Sequence, residues 1–417
     1  MRIIIGFEHI RRLVGARSQI VVEVARALQA RGHDILIICD TVTDPDLFND
    51  LAICTRRDFQ SGESHRLTLM RLWARRVIAR QRPDVTLSFF PAIPGDILVP
   101  LFGWARTALA RDSSIRDGAP HGKARIVKRL KLLERLAVES VARSDPDLRC
   151  VAALSRHMYD DLLAADPTLE SRMELIPGCS PLCRHADIGD EAARIRNEIR
   201  SSLRMDAQDV MFLWEATVAS PHGRRVLIDA FARLVDAYRA QQADTTAPCP
   251  RPILVMAGEG QWISHDLSIL KGCEKYIRIL GRTAEMPALL HACDVGVLPA
   301  LHSTVGRFAW ECLGYGKPII ASDVTAGMDR VETQSGSTAG RTVAAGNVDQ
   351  LCEAMADMLN AEQRMVATAA ARALVPMFEF EDFVSRLERL LQRIADDKIA
   401  AIPSHGGSPT HGMGASA

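Results

Sequence analysis

Apolar positions along the chain alternate between two rhythms. Short unbroken apolar runs such as RIIIGF (2–7), DILIICD (34–40) and DVTLSFF (84–90) are separated by stretches with apolar residues every third or fourth position, such as SQIVVEVARALQARG (18–32). Unbroken runs suit parallel strands covered on both faces, and the periodic stretches suit helices packed over them. Ser18 is placed to cap the first helix and Gly32 to stop it. The first series continues with a helix over 66–81, the strand 84–90, RCVAALS (149–155), the helix start RHMYDDLLAAD (156–166) and MELIPG (173–178). A polar run over 184–208 then interrupts the rhythm. The second series holds VMFLWEA (210–216), a helix over 224–240, ILVMAG (253–258), YIRILG (276–281), AEMPALLHACD (284–294), VGVLPA (295–300) and KPIIASD (317–323), with QQADTTAPCPRP (241–252) as a surface loop. Helical periodicity resumes from about 348 to 396, and the small polar residues from 402 onward suit a disordered tail. Strand–helix alternation in both halves predicts an α/β protein of two doubly wound, Rossmann-like sheets. The domains read as 1–183 and 209–375, joined by a linker at 184–208 and followed by a helix at 376–399 and a tail at 400–417. Ligands in such folds bind outside the carboxyl ends of the strands, here in a cleft between the halves.

The 417 residues are enough for two substantial cores. No apolar run approaches the ~18 residues of a membrane span, and MRIIIGF enters a strand directly, without the h-region of a signal peptide. Ten cysteines are scattered, with Cys179 and Cys183 the one close pair and no zinc-like spacing around them. Reduced thiols in a cytoplasmic protein are the expectation. The Asp-Pro-Asp triplets at 44–46 and 145–147 read as turns rather than as metal ligands. No nucleic-acid partner is expected.

Charge changes the picture more. Residues 1–150 hold 25 lysines and arginines against 17 aspartates and glutamates, and the remainder carries the opposite imbalance, so the whole is neutral. The basic half contains GKARIVKRLKLLERLAVESVA (122–142), with Ile126, Leu130, Leu133 and Leu136 at helical spacing among Lys123, Arg125, Lys128, Arg129, Lys131 and Arg135. One reading is a core stripe under a solvated face. The other is a helix lying on an anionic membrane; an anionic acceptor would suit the same charges.

Five loops follow strands and could carry chemistry. In EHIRRLVGARS (8–18), Gly15-Ala16 lets backbone approach a ligand, and the missing G-x-G-x-x-G argues against a dinucleotide oxidoreductase. In FFPAIPGDI (89–97), Asp96 is either an active-site carboxylate or the N-cap of a following helix. In ATVASPHGRRVLIDAF (216–231), Gly223 precedes Arg224 and Arg225, which either reach phosphates or lie on the outer face of their helix. MAGEGQW (256–262) places Gly258 in a glycine-rich turn. In PALHSTVGRFAWECLGYGKPIIASD (299–323), Ser303 or Thr304 can cap a helix whose first amides, at Val305 and Gly306, form an anion site. Glu311 lies further along that helix among Phe308, Ala309, Trp310, Cys312 and Leu313. It either pairs with Arg307 at i,i+4 or accepts hydrogen bonds from two vicinal hydroxyls. A phosphate at the helix start with a diol beyond it describes a nucleotide.

The ordered segments ILVMAGEG, IRILGRTAEMPALLHACDVGVLPA and GRFAWECLGYGKPIIASDVTAG resemble the donor domain of the retaining glycosyltransferases of family 4, which have the GT-B fold. ALQARGHDI, SFFPAIPGD and LIPG extend the likeness over the first half, most closely to the α-glucosyltransferases of the lipopolysaccharide core. The resemblance implies transfer of a sugar from a nucleoside diphosphate sugar to a cell-envelope glycan or glycolipid, with retention and without a required metal or other cofactor, at the inner face of the cytoplasmic membrane. It also implies that Glu311 binds the ribose, that Val305 and Gly306 bind the diphosphate, that Gly15-Ala16 closes over the donor, that Asp96 is an active-site residue, and that the last helix crosses back to the first domain. Two departures stand out. Ser303 takes the place of a usual sugar-binding glutamate. Pro221-His222 takes the place of a usual Arg-Lys pair, and His222 is largely neutral at pH 7, leaving Arg224, Arg225 or Arg282 to neutralise the diphosphate. These departures keep a second reading open: a catalytically weakened GT-B homologue that binds nucleotide or glycan as a partner.

Overall fold

The computed structural model describes residues 1–10, 17–43, 45–56, 66–101, 103–104, 123–185, 189–216, 223–244, 249–258, 270–281, 285–301, 306–325, 327–333 and 335–401. Gly15, Ala16, Pro221, His222, Arg282, Ser303, Thr304, Val305 and the tail from 402 lie outside the described residues.

Seven parallel strands form the first sheet: β1 (Arg2–Ile10), β2 (Asp34–Val42), β3 (Ala52–Thr55), β4 (Val85–Ser88), β5 (Ile97–Leu98), β6 (Cys150–Ala153) and β7 (Met173–Leu175). Their order is β3-β2-β1-β4-β5-β6-β7, so the chain starts in the middle, winds outward, then reverses between β1 and β4. Ile3, Ile5, Ile37, Val85 and Leu87 are buried, because helices cover both faces. The helices are α1 (Arg17–Ala30), α2 (Arg66–Gln81), α3 (Lys123–Arg143) and α4 (Arg156–Ala165). Ser155 begins α4 by accepting from the Met158 amide at 3.1 Å, which satisfies one of the orphan donors of a helix start.

The second sheet has β8 (Val210–Ala216), β9 (Pro252–Gly258), β10 (Ile277–Leu280), β11 (Val295–Leu298), β12 (Ile319–Ser322) and β13 (Gly340–Val343), in the order β10-β9-β8-β11-β12-β13 and again parallel. Around it and after it run α5 (Asp190–Ser202), α6 (Arg224–Asp244), α7 (Met286–Ala292), α8 (Arg307–Gly314), α9 (Val348–Asp357), α10 (Ala361–Leu374) and α11 (Phe380–Ala400).

Two sequence expectations give way here. The polar run read as a linker contains α5, whose inward face is held by charge rather than by leucines. Buried Arg200 donates to Asp294 at 3.0 Å and to the Asp209 carbonyl at 2.7 Å, while Arg196 donates to Asp294 at 2.6 Å. A hydropathy pattern cannot register such a face. Two residues of the α3 stripe are not in a core either: Leu130 and Leu133 are 57% and 53% exposed, while Leu136 is half-buried. Glu134, on the same helix, turns to α2 and accepts from the Leu67 amide at 2.9 Å.

The halves meet where the carboxyl ends of both sheets converge. Arg330 donates to the Gly178 carbonyl at 3.0 Å, Tyr315 to that of Leu182 at 3.1 Å, and the Arg156 amide to Asp329 at 2.9 Å. The indole of Trp310 lies between Gly178 of the first half and Gly327 of the second; a Cβ added to either would stand 2.5 Å from the ring. From the second half α11 returns to the first, burying Phe380, Phe383, Leu387, Leu391 and Ile394. Its Glu388 accepts from Arg31 and pairs with His33, each at 2.7 Å.

Candidate functional site

The site is assembled by strand ends of the second sheet. Gly223 has φ +82, and a Cβ there would fall 1.7 Å from the Pro299 carbonyl oxygen, so only glycine lets the start of α6 close against the end of β11. Gly306 adopts φ +66 as the N-cap of α8 and accepts from the Trp310 amide at 3.0 Å. Gly258 closes β9 with φ +118, and its amide donates to the Gly281 carbonyl at 3.1 Å. All three glycines take positive φ at turns around the mouth of this sheet.

Every residue of α8 is buried, Glu311 completely. Its Oε1 accepts from Ser180 Oγ of the first half at 2.5 Å and from Arg307. Arg307 also binds both carboxylate oxygens of Glu215, at the end of β8. Among the described residues Oε2 of Glu311 is buried without a hydrogen-bond partner. Leaving such an acceptor unfilled costs about 1–3 kcal/mol, so the position asks for a donor.

The electrostatics follow from burial. Burial pushes the Glu311 carboxyl up to about 7; Arg307 pulls it back, Glu215 pushes it further, and Ser180 favours the charged form. Burial also works against the charge of Arg307, but Glu215 and Glu311 outweigh it and hold the guanidinium above its ordinary value. One cation between two carboxylates leaves the cluster one negative charge in excess when all three are ionised. Burying an uncompensated charge is costly, which is why the cluster is poised to hold a proton near neutrality. Of the two sequence readings of Glu311, the Arg307 pair is present; it occupies one carboxylate oxygen, and the other has no partner among the described residues. Glu215 and Ser180 were missed by the sequence reading. The signal for Glu215 was a lone carboxylate ending an apolar strand; nothing local marks Ser180, because its role arises only when the two halves meet.

Arg224 and Arg225 open α6 as expected, but Arg225 is exposed and donates to Asp229 at 2.9 Å, one turn along its own helix. Asp96 requires a correction. No helix follows it: β5 begins at the next residue. Its Oδ2 accepts from the Thr86 amide at 2.8 Å, from Thr86 Oγ1 at 2.7 Å and from Lys398 Nζ at 3.0 Å. Asp96 is buried at the amino end of its strand, away from the carboxyl ends that form the cleft, and ties the last turns of α11 to the first sheet.

Across the cleft, the carboxyl ends of β1 and β2 carry a second polar cluster. Arg66 donates to Asp40 at 2.5 Å and to Glu8, and meets His9 Nε2 at 3.2 Å; His9 Nδ1 lies 2.7 Å from Thr41 Oγ1. Such a set of donors and acceptors suits sugar hydroxyls. Among the described residues no group of three or more histidines, cysteines, aspartates and glutamates could hold a metal ion.

Two parallel Rossmann-like sheets with facing carboxyl ends are matched across nearly the whole chain by solved glycosyltransferases. The fold is GT-B. The crystal structure of WaaG, a glycosyltransferase involved in lipopolysaccharide biosynthesis, superposes with a TM-score of 0.74 at 16% identity, covering 93% of this chain and 99% of that one. Alr3699/HepE from Anabaena, in complex with UDP, gives 0.65 at 15% identity over 94% and 100%. WaaB, a lipopolysaccharide outer core galactosyltransferase, gives 0.57 at 11% identity over 94% and 99%. Residues 210–361, within the half that holds the second sheet, match the family model described as glycosyl transferases group 1. No curated protein sequence matches the chain.

Proposed function

We propose that the protein transfers a sugar from a nucleoside diphosphate sugar to a cell-envelope glycan, such as a lipopolysaccharide core, with retention at the anomeric carbon as in family 4. The observation that carries this reading is Glu311: a carboxylate set on the helix that opens at Gly306, with Oε2 buried and unfilled. A ribose hydroxyl fits that oxygen, and the diphosphate would then lie toward the helix start, where amides and the helix dipole favour negative charge. Stabilising the leaving diphosphate there is the main electrostatic task. No metal is required for it, and Val305, Gly306, Arg224 and Arg282 are the candidate groups. The acceptor would sit at the polar cluster of Glu8, His9, Asp40 and Arg66. Turnover with a panel of UDP-, GDP- and ADP-sugars tests the reading, with release of the diphosphate and anomer analysis as readouts. Release from none of them would overturn it.

The weakened-homologue reading rests on Arg225, which is engaged by Asp229 rather than aimed at a phosphate, and on Ser303 and Pro221-His222. Nucleotide binding without turnover across the panel would favour it. Peripheral attachment at the inner face of the cytoplasmic membrane belongs to the same proposal. Leu130 and Leu133 on α3 and Leu72 on α2 are exposed on two helices joined through Glu134, with exposed Arg75, Arg76 and Arg80 on α2. Among the described residues no helix is long and apolar enough to cross a membrane.

A further inference from the structure

We infer that Arg307 is a positioning residue for the donor nucleotide: together with Ser180 it occupies one oxygen of Glu311, favours the charged form of the carboxylate, and leaves the other oxygen to the ligand. The inference rests on the nucleotide reading above and deepens it. Three observations carry it. Arg307 and Ser180 converge on the same oxygen, Oε1, although Oε2 is equally buried and empty. Arg307 is itself fixed by both oxygens of Glu215, so it cannot turn to Oε2 without giving up that pair. And Ser180 belongs to the first half of the chain, so the arrangement exists only while the halves are docked.

A purely structural ion pair would match one arginine to one carboxylate and fill both oxygens. Here a second carboxylate, Glu215, holds the arginine in place and leaves Glu311 half-served. The groups facing Glu311 from each packed element are few. On α8 they are Arg307 and Cys312; from β8, Glu215; from the crossover, Ser180 and Cys183; and just past α8, Tyr315. Burial pushes the Cys312 thiol and the Tyr315 phenol up, and contact with Cys179 together with burial does the same for Cys183, so all three stay neutral. Among the described residues Arg307 and Glu215 are the charged groups that act on Glu311, alongside burial and the Ser180 hydrogen bond. A protonated Glu311 would donate where the ribose needs an acceptor, so binding should require the carboxylate.

The sign follows. Affinity for the nucleotide rises with pH as Glu311 ionises. Removing Arg307 moves that rise to higher pH; removing Glu215's charge moves it to lower pH. The test is calorimetry of UDP, with ADP and GDP alongside, on the full chain from pH 6 to 8.5. Wild type should bind one of them more tightly as pH rises. Arg307→Met should lose about tenfold at pH 7 for each pH unit by which the carboxyl is shifted, and recover toward pH 8.5, whereas Arg307→Lys should keep most of the affinity. Glu215→Gln should bind more tightly than wild type at pH 6. Unchanged affinity and pH profile in Arg307→Met overturns the inference, as does a lysine variant no better than the methionine one. If Arg307→Met does not fold, Glu215→Gln decides, and equal or weaker binding at pH 6 overturns it. Binding lost in Glu311→Gln but intact in Arg307→Met sinks this inference alone. Failure of every diphosphate on wild type removes the nucleotide reading and this inference with it.

Discussion

Gly223 and Gly32 have almost the same backbone conformation, φ +82 and +87, yet they do different work. At Gly32 a side chain would meet nothing within 4 Å, so alanine there carries only the left-handed penalty, about 1 kcal/mol. At Gly223 the same substitution drives Cβ into the Pro299 carbonyl. Urea unfolding should show Gly223→Ala losing roughly 3 kcal/mol and Gly32→Ala about a third of that; equal losses would mean that the Pro299 contact does not constrain the site. The sequence displayed both glycines, one as a helix stop and one as a loop before two arginines. It could not display which one faced a carbonyl, because that neighbour lies far along the chain. Glu311 divides the same way. Its awkwardness and its i,i+4 partner were visible in the quoted helix, but the filling of one oxygen by Ser180 was not.

At the scale of elements, most strands and helices stood out because buried parallel strands are written as unbroken apolar runs. Three features were not legible, each for a different reason. The helix α5 faces inward with arginines, which hydropathy scores as solvent. The tract from 348 to 396 is three helices, separated by caps such as Asn360, whose Oδ1 accepts from the Glu362 and Gln363 amides at 2.9 and 3.1 Å. Asp96 looked like a loop carboxylate because β5, only two residues long, hides behind it. The return of α11 was expected from the resemblance alone; charge adds to the apolar face that fastens it. Hydrogen bonding by His33 first, and then by Arg31, holds the Glu388 carboxyl below its usual value. A depressed carboxyl contributes stability above its unfolded value, and that stability is lost as pH falls through the folded one. Glu388→Gln should therefore cost about 1 kcal/mol at pH 7 and progressively less as the pH falls below the ordinary carboxyl range. Hydrogen exchange along 380–400 should quicken in the variant at pH 7. A variant that costs as much at pH 3 as at pH 7 would show that the charge is not what fastens the helix.

For the molecule as a whole, charge is divided as the halves are. The surplus of basic residues belongs to the first 150 positions, and the exposed leucines of α2 and α3 lie in the same half. A bilayer contact through that face would lay the first half against the lipid while the second half stays in water. Vesicle flotation should recover the protein with anionic lipid and not with zwitterionic lipid, and added salt should weaken the recovery. Leu130→Ser with Leu133→Ser should reduce it without changing the melting temperature. Recovery that ignores salt, lipid charge and both leucines would rule the contact out.

Trp310 gives the two halves something neither sheet provides. Its ring is gripped by a glycine from each side, with no room for even one added carbon, and it sits one residue before Glu311. The indole therefore acts as a spacer: a change in the separation of the halves at this point must push on the ring. Any such push arrives at the adjacent carboxylate. A methyl group at Gly178 would then act as a wedge, displacing the helix that carries Glu311 from the opposite half of the molecule.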